Sequence, residues 1–210
     1  MSTFAVAAMA AVGLGLWRVA LLRRRLELVA RAEHELRGAV TALHLAHDRG
    51  AGAVEVQFDR MRAALADLHR ARCGGRAPVT AEPVAFEPFV AAALEPWGAA
   101  GPREGGLTVV CADRGRLAQA LGNLAANAHE HGSGDLDVSA KPTPGGVRLD
   151  LSNRAPGGGR QPQAGRGRGL GIARSAAAAL GGSLEARAEA GRFVASLELP
   201  VDRGAPPPAA

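Results

Sequence analysis

The sequence is poor in the residue types that many secreted and nucleic-acid-binding proteins depend on. It contains two cysteines (Cys73 and Cys111), no tyrosine, five phenylalanines, two tryptophans and a single lysine, Lys141. Two separated cysteines form neither a disulfide framework nor a C-x-x-C metal site, which favours a reducing compartment. Because the arginines are scattered and few aromatic side chains are available for base stacking, the net charge of +5 does not indicate nucleic-acid binding.

The longest apolar stretch covers residues 3–22, in which Arg18 is the one charged residue. About 20 apolar residues suffice to cross a bilayer as a helix. Three arginines at 23–25 follow this stretch, whereas a signal peptide carries its positive charge before the apolar run. We therefore predict a single membrane helix over residues 1–25 in a bacterial cell membrane, with the rest of the chain in the cytoplasm. The alternative is a helix on the membrane surface or buried in the protein.

Two helices are predicted next, within residues 26–73, joined by the turn DRGAG. Apolar residues recur on each at helical spacing: Leu28, Ala32, Leu36, Ala39, Val40, Leu43 and Ala46, then Val54, Phe58, Met61, Leu65 and Leu68. One partner helix does not fully cover such a stripe. The pattern therefore predicts a helical hairpin that pairs with a second copy into a dimeric four-helix bundle, which makes the protein a homodimer.

After CGGRAP, at residues 73–78, helical and strand patterns alternate. A short helix, a strand, and a long helix over residues 113–132 with Asp113 as N-cap come first. Two strand pairs follow, DLDVSAK with GVRLDLSN across the turn PTPGG and GSLEAR with GRFVASLELP, and the helix GLGIARSAAAALGG lies between the pairs. This order predicts an α+β chain whose residues 74–201 form an α/β sandwich, followed by a disordered tail at 202–210.

Two stretches of the second domain carry residues that suit phosphate and Mg²⁺. The glycine-rich turn at 165–172 runs into a helix, whose free N–H groups favour an anion, but this signal is weak by itself and is not a Walker loop. Asn123 and Asn127 lie four residues apart on one helix face although asparagine is a poor helix former. Side-chain carbonyl oxygens are ligands for Mg²⁺, and a structural hydrogen bond is the plainer explanation.

The order of the motifs resembles the sensor histidine kinases of two-component systems. The motifs are HELR at 34–37, NLAANAHEHG at 123–132, LSNRAPGGG at 151–159 and GRGLGI at 167–172. The resemblance covers roughly residues 26–200. It implies a dimerisation hairpin that carries a phosphorylated histidine, followed by an ATP-binding domain of the GHKL (Bergerat) type.

The resemblance also implies roles for individual residues. His34 would accept the γ-phosphoryl group of ATP, Glu35 would accept or orient the proton on the other ring nitrogen, and Asn127 would bind Mg²⁺. The phosphoryl group would then pass to an aspartate in the receiver domain of a response regulator. For His131, a phosphate contact and a simple helix cap both stay open. The other implied ATP-binding residues are Asn123, Asn153, Gly157, Gly167, Gly169, Leu170 and Gly171.

The residue type at position 123 distinguishes between the families of the GHKL group. Gyrase B and the anti-sigma-factor kinases have a glutamate there that deprotonates a water or hydroxyl nucleophile, and Asn123 lacks this capacity. The substitution therefore favours the two-component family, which also accounts for the helical hairpin.

The adenine-binding motif departs from the family pattern D-x-G-x-G, because the chain has Asn153, Arg154, Ala155, Pro156 and Gly157. Asn153 accepts a hydrogen bond without charge, so we expect ATP affinity to fall about tenfold, and Asn153→Asp to tighten binding. Residues 158–166 leave a very short lid over the nucleotide. The alternative function is therefore a degenerate kinase, or a scaffold that binds a response regulator with weak or no phosphorylation.

Overall fold

The computed structural model describes residues 3–46, 51–73, 80–102, 109–154, 168–189 and 191–200. Two long helices precede a domain in which helices pack on an antiparallel sheet. A single 3₁₀ turn, Glu95–Trp97, follows the third helix. The helices and strands are α1 (Thr3–Ala46), α2 (Ala51–Cys73), β1 (Glu82–Ala85), α3 (Phe86–Leu94), β2 (Val109–Ala112), α4 (Arg114–His131), β3 (Ser133–Thr143), β4 (Gly146–Arg154), α5 (Arg168–Ala179), β5 (Ser183–Glu189) and β6 (Arg192–Pro200).

α1 is one helix of 44 residues, with no break between the expected membrane segment and the expected hairpin. It also continues through Gly38 and Ala39. None of the helices in the described part of the chain has the length and apolar character needed to cross a membrane. The structure therefore does not support the prediction of a membrane helix over residues 1–25.

α1 and α2 pack against each other through small side chains. The buried apolar residues of this contact are mainly alanines: Ala32, Ala39, Ala42 and Ala46 on α1, and Ala53, Ala64 and Ala71 on α2. Of the nine larger residues in the predicted stripes, four are exposed and five are half-buried; the exposed ones are Leu28, Val40, Phe58 and Leu65. The predicted hairpin is thus confirmed, but several of its large apolar side chains face away from the contact between the two helices.

The sheet of the second domain is antiparallel, with strand order β3-β4-β6-β5, and β1 and β2 form a separate antiparallel pair. Thr143 pairs with Gly146, so Pro144 and Gly145 form the predicted hairpin turn. Alternate residues of β4 are buried. They contribute to one core, whose members include Leu117, Leu121 and Leu124 of α4, Ala173, Ala176 and Ala177 of α5, and Leu149, Leu151 and Leu197 of the sheet.

The N-terminal end of α4 is joined to α2 by charged hydrogen bonds. Asp113 caps α4 as predicted, because its side chain accepts from the Arg116 backbone N–H at 3.0 Å. The Arg116 guanidinium donates to both Asp67 oxygens at 2.6 and 2.7 Å. Arg114 Nε donates to Asp59 at 2.9 Å. Burial lowers the pKa of Arg116, which nevertheless stays protonated at neutral pH. These contacts place the hairpin beside α4.

Candidate active site

Three motifs that are far apart in the sequence meet where α1, α4 and α5 approach one another. His34 is half-buried on α1. Its Nε2 atom lies 3.9 Å from the point that a Cβ atom on Gly169 would occupy, and Asn123 Oδ1 lies 3.3 Å from the same point. One residue from each of the three predicted motifs therefore lies near the same point of one chain.

Glu35 is buried and points toward α2 and α4. Its Oε2 atom accepts from Arg60 Nε at 3.0 Å, and its Oε1 atom accepts from Asn123 Nδ2 at 2.5 Å. Consecutive helical residues are ~100° apart around the helix axis, so Glu35 and His34 face different directions. The role of Glu35 as acceptor of the His34 ring proton stays a prediction.

The side-chain amide of Asn123 is held in a defined orientation. Its nitrogen donates to Glu35 Oε1 and also to the Gln119 backbone carbonyl at 2.7 Å. Since both neighbours are acceptors, the nitrogen must face them, and the oxygen is left on the side of Gly169. Asn127 lies one turn along α4 and is half-buried. An amide oxygen aimed at the glycine turn suits a metal ion shared with phosphate groups.

Asn153, near the end of β4, carries a buried side-chain acceptor. Its Nδ2 donates to the Ala128 backbone carbonyl at 2.7 Å. Its Oδ1 is buried and has no hydrogen-bond partner within the described part of the chain. A Cβ atom at Gly132 would overlap the Asn153 amide, so the glycine makes room for this contact. An unpaired buried acceptor costs free energy, and an amine donor offsets that cost.

The remaining predicted site residues divide into two groups. Gly169 and Gly171 lie in the first turn of α5, whose free N–H groups favour phosphate, while the Leu170 side chain is buried in the core. Gly157, Gly167, the lid at 158–166 and the His131 side chain lie outside the described residues. The His129 ring packs against Trp97, with 5.4 Å between the ring centroids.

Arg60 is a member of the site that sequence reasoning missed. On α2 it belongs to a buried series at helical spacing, with Ala53, Val56 and Ala64. That series could have indicated from the sequence that Arg60 is buried. The larger apolar residues Phe58 and Leu65 instead led to the prediction that a different face of the same helix is the buried one.

Comparison with known proteins identifies the fold. No protein-family profile and no curated protein sequence matches the chain. Among solved structures, the Acinetobacter baumannii histidine kinase AdeS is similar with a TM-score of 0.50 and 17% identity, covering 82% of this chain and 96% of AdeS. The ATP-binding domain of PrrB from Mycobacterium tuberculosis is similar with a TM-score of 0.51 and 20% identity, covering 59% of this chain and 98% of that domain. The chain therefore has the fold of the histidine kinases, a helical hairpin followed by their ATP-binding domain.

Proposed function

We propose that the protein is a histidine kinase that phosphorylates His34 from ATP and passes the phosphoryl group to an aspartate of a response regulator. The observation that carries this proposal is the convergence of His34 Nε2, Asn123 Oδ1 and Gly169 within one chain. Because phosphoryl transfer depends mainly on positioning and charge stabilisation, this placement is the main requirement for the reaction.

The transfer uses the lone pair of His34 Nε2 as nucleophile. A bond forms between Nε2 and the γ-phosphorus, the bond from that phosphorus to the bridging oxygen breaks, and ADP leaves with the electron pair. The proton on Nδ1 then leaves the ring. Glu35 is the acceptor that the family resemblance implies, and to reach Nδ1 it would have to leave its contacts with Arg60 and Asn123. The phosphohistidine afterwards takes a proton back on Nδ1 and gives its phosphoryl group to the regulator carboxylate. The bond between Nε2 and phosphorus breaks, its electron pair returns to Nε2, and the ring is neutral again.

The described residues fit ATP and its metal ion. Asn153 Oδ1 offers the adenine amine a buried acceptor, and this supports an ATP-binding kinase over a scaffold without nucleotide. The N-terminus of α5 supplies N–H groups for the phosphates. Asn127, with Asn123 beside it, would hold Mg²⁺, which neutralises charge on the phosphate oxygens.

The hairpin surface supports the predicted homodimer. Exposed apolar side chains lie on both helices, Val40 and Leu45 on α1 and Phe58 and Leu65 on α2. A second copy of the hairpin would cover these side chains in a four-helix bundle.

The test is phosphorylation of the purified full-length protein with γ-labelled ATP and Mg²⁺. We expect label that is lost in acid and stable in base, as a phosphohistidine requires. His34→Gln should abolish the label and preserve ATP binding. His44→Gln is the matched control, because His44 lies exposed on the same helix and contacts only the backbone of its own turn in the described contacts. Label retained on His34→Gln would place the acceptor elsewhere and overturn the proposal.

A further inference from the structure

Arg60 is a fully buried cation next to the proposed site. Its side chain is 1% exposed. Nε donates to Glu35 Oε2 at 3.0 Å, and Nη2 approaches Glu35 Oε1 at 3.4 Å. Within the described residues, Nη1 is buried and has no hydrogen-bond partner. Arg60 thus pairs with the residue that follows the proposed phosphorylation site.

Two glycines on different helices make room for the guanidinium. A Cβ atom at Gly38 of α1 would lie 2.9 Å from Arg60 Nη2. A Cβ atom at Gly122 of α4 would lie 2.5 Å from Nη1 and 2.8 Å from Cζ. Any other residue at Gly122 would therefore push the guanidinium away from its present place. We call this space between Gly38 and Gly122 the arginine slot.

Stability does not account for the arginine slot. A buried ion pair generally contributes no more to stability than apolar side chains of the same volume. Here the pair also leaves one guanidinium nitrogen unsatisfied, which is a further cost. In some proteins, buried polar contacts of this kind are retained because they fix the orientation of the side chains involved.

The contacts continue from Arg60 to the nucleotide side of the site. Arg60 holds Glu35, and Glu35 Oε1 accepts from Asn123 Nδ2. This contact turns the Asn123 oxygen toward Gly169. We propose that Arg60 is a positioning residue that acts through Glu35 to set the Asn123 oxygen for Mg²⁺-bound ATP. The inference rests on the proposed function and adds a residue to it.

The experiment measures ATP affinity of the full-length protein with Mg²⁺ and with EDTA, so that metal-dependent binding is separated from binding of the base. Gly122→Ala fills the arginine slot without changing any charge. Gly52→Ala is the matched control, since a Cβ there would meet Ala92 at an ordinary 3.6 Å. Both changes replace a helical glycine with alanine, Gly122 in the interior of α4 and Gly52 in the first turn of α2. The double variant Arg60→Met with Glu35→Gln removes the buried charges together and keeps similar volumes, so folding does not depend on a lone buried charge.

We expect both test variants to bind ATP in EDTA with an affinity within twofold of that of wild type. The factor by which Mg²⁺ increases ATP affinity should be at least fivefold smaller in these variants than in wild type. Gly52→Ala should match wild type in both conditions. A purely structural role would instead lower the melting temperature and leave the Mg²⁺ effect intact. Folded variants with an unchanged Mg²⁺ effect would overturn the proposed role of Arg60 and would leave the proposed function standing. Failure of the wild-type protein to bind ATP at all would overturn the proposed function.

Discussion

At the scale of residues, the structure gives a reason for Asn153, which stands where the family's adenine motif has aspartate. By sequence, asparagine in place of aspartate is a loss of charge. In the structure the amide nitrogen donates to the Ala128 carbonyl, a bond that a carboxylate does not make. Asparagine therefore satisfies one buried acceptor and keeps its oxygen for the ligand. The tighter ATP binding expected for Asn153→Asp is opposed by the loss of this bond.

We predict that Asn153→Asp lowers the free energy of unfolding by about 1–3 kcal/mol at pH 8, because a buried carboxylate would face a carbonyl oxygen. Burial and this contact raise the pKa of the introduced carboxyl group in the folded state. The loss should therefore shrink toward pH 5, where the protonated group donates to the Ala128 oxygen. Urea unfolding of variant and wild type at both pH values measures this. A loss that does not depend on pH would contradict the prediction.

At the scale of elements, the two faces of α2 have different partners. Its small and charged residues, including Ala53, Asp59 and Arg60, are buried against the rest of the chain. Phe58 and Leu65 remain on the outer face. The large apolar side chains are therefore available to a second chain, while the small ones allow close approach of α1.

We expect Phe58→Glu to convert the proposed homodimer to a monomer, because a charge would enter the proposed apolar contact between hairpins. Light scattering after size-exclusion chromatography measures the molar mass. Ala178→Glu, at an exposed position on α5, is the control and should remain dimeric. A wild-type protein that is already monomeric at micromolar concentration would show that these side chains do not mediate dimerisation.

Local patterns predicted most elements but not the long-range contacts. Helical periodicity and the Asp113 cap were enough for α4, and strand alternation was enough for β3 and β4. β1 was missed because it has four residues and contains Pro83, which is unfavourable in strands. The contact between Glu35 and Arg60 joins residues 25 positions apart, and no local periodicity reports such a pair.

At the scale of the whole molecule, the proposed site residues of a single chain are close enough to act together. His34 lies near Asn123 and Gly169 of its own polypeptide, so we predict that each protomer phosphorylates itself. Mixed dimers of His34→Gln and Asn127→Ala chains test this, because only transfer between chains would label the Asn127→Ala protomer. We expect no label beyond that of the separate variants. Differently tagged wild-type chains, mixed in parallel, verify subunit exchange. Strong labelling of the Asn127→Ala chain would show transfer between protomers.

Because helix α1 is unbroken, we expect the site to be sensitive to rotation of α1 about its own axis. Its 44 residues span about 66 Å, and no interruption separates the N-terminal part from His34. Because His34 and Glu35 differ by ~100° around the axis, axial rotation of α1 determines which of them faces the glycine turn. Where a binding partner holds the segment before Glu27 in place, one alanine inserted after Glu27 should therefore change phosphorylation in cells sharply, and seven should nearly restore it; a steady decline with insertion length would contradict this. A rotation applied at the N-terminal end of α1 would thus determine whether the His34 imidazole or the Glu35 carboxylate faces Gly169.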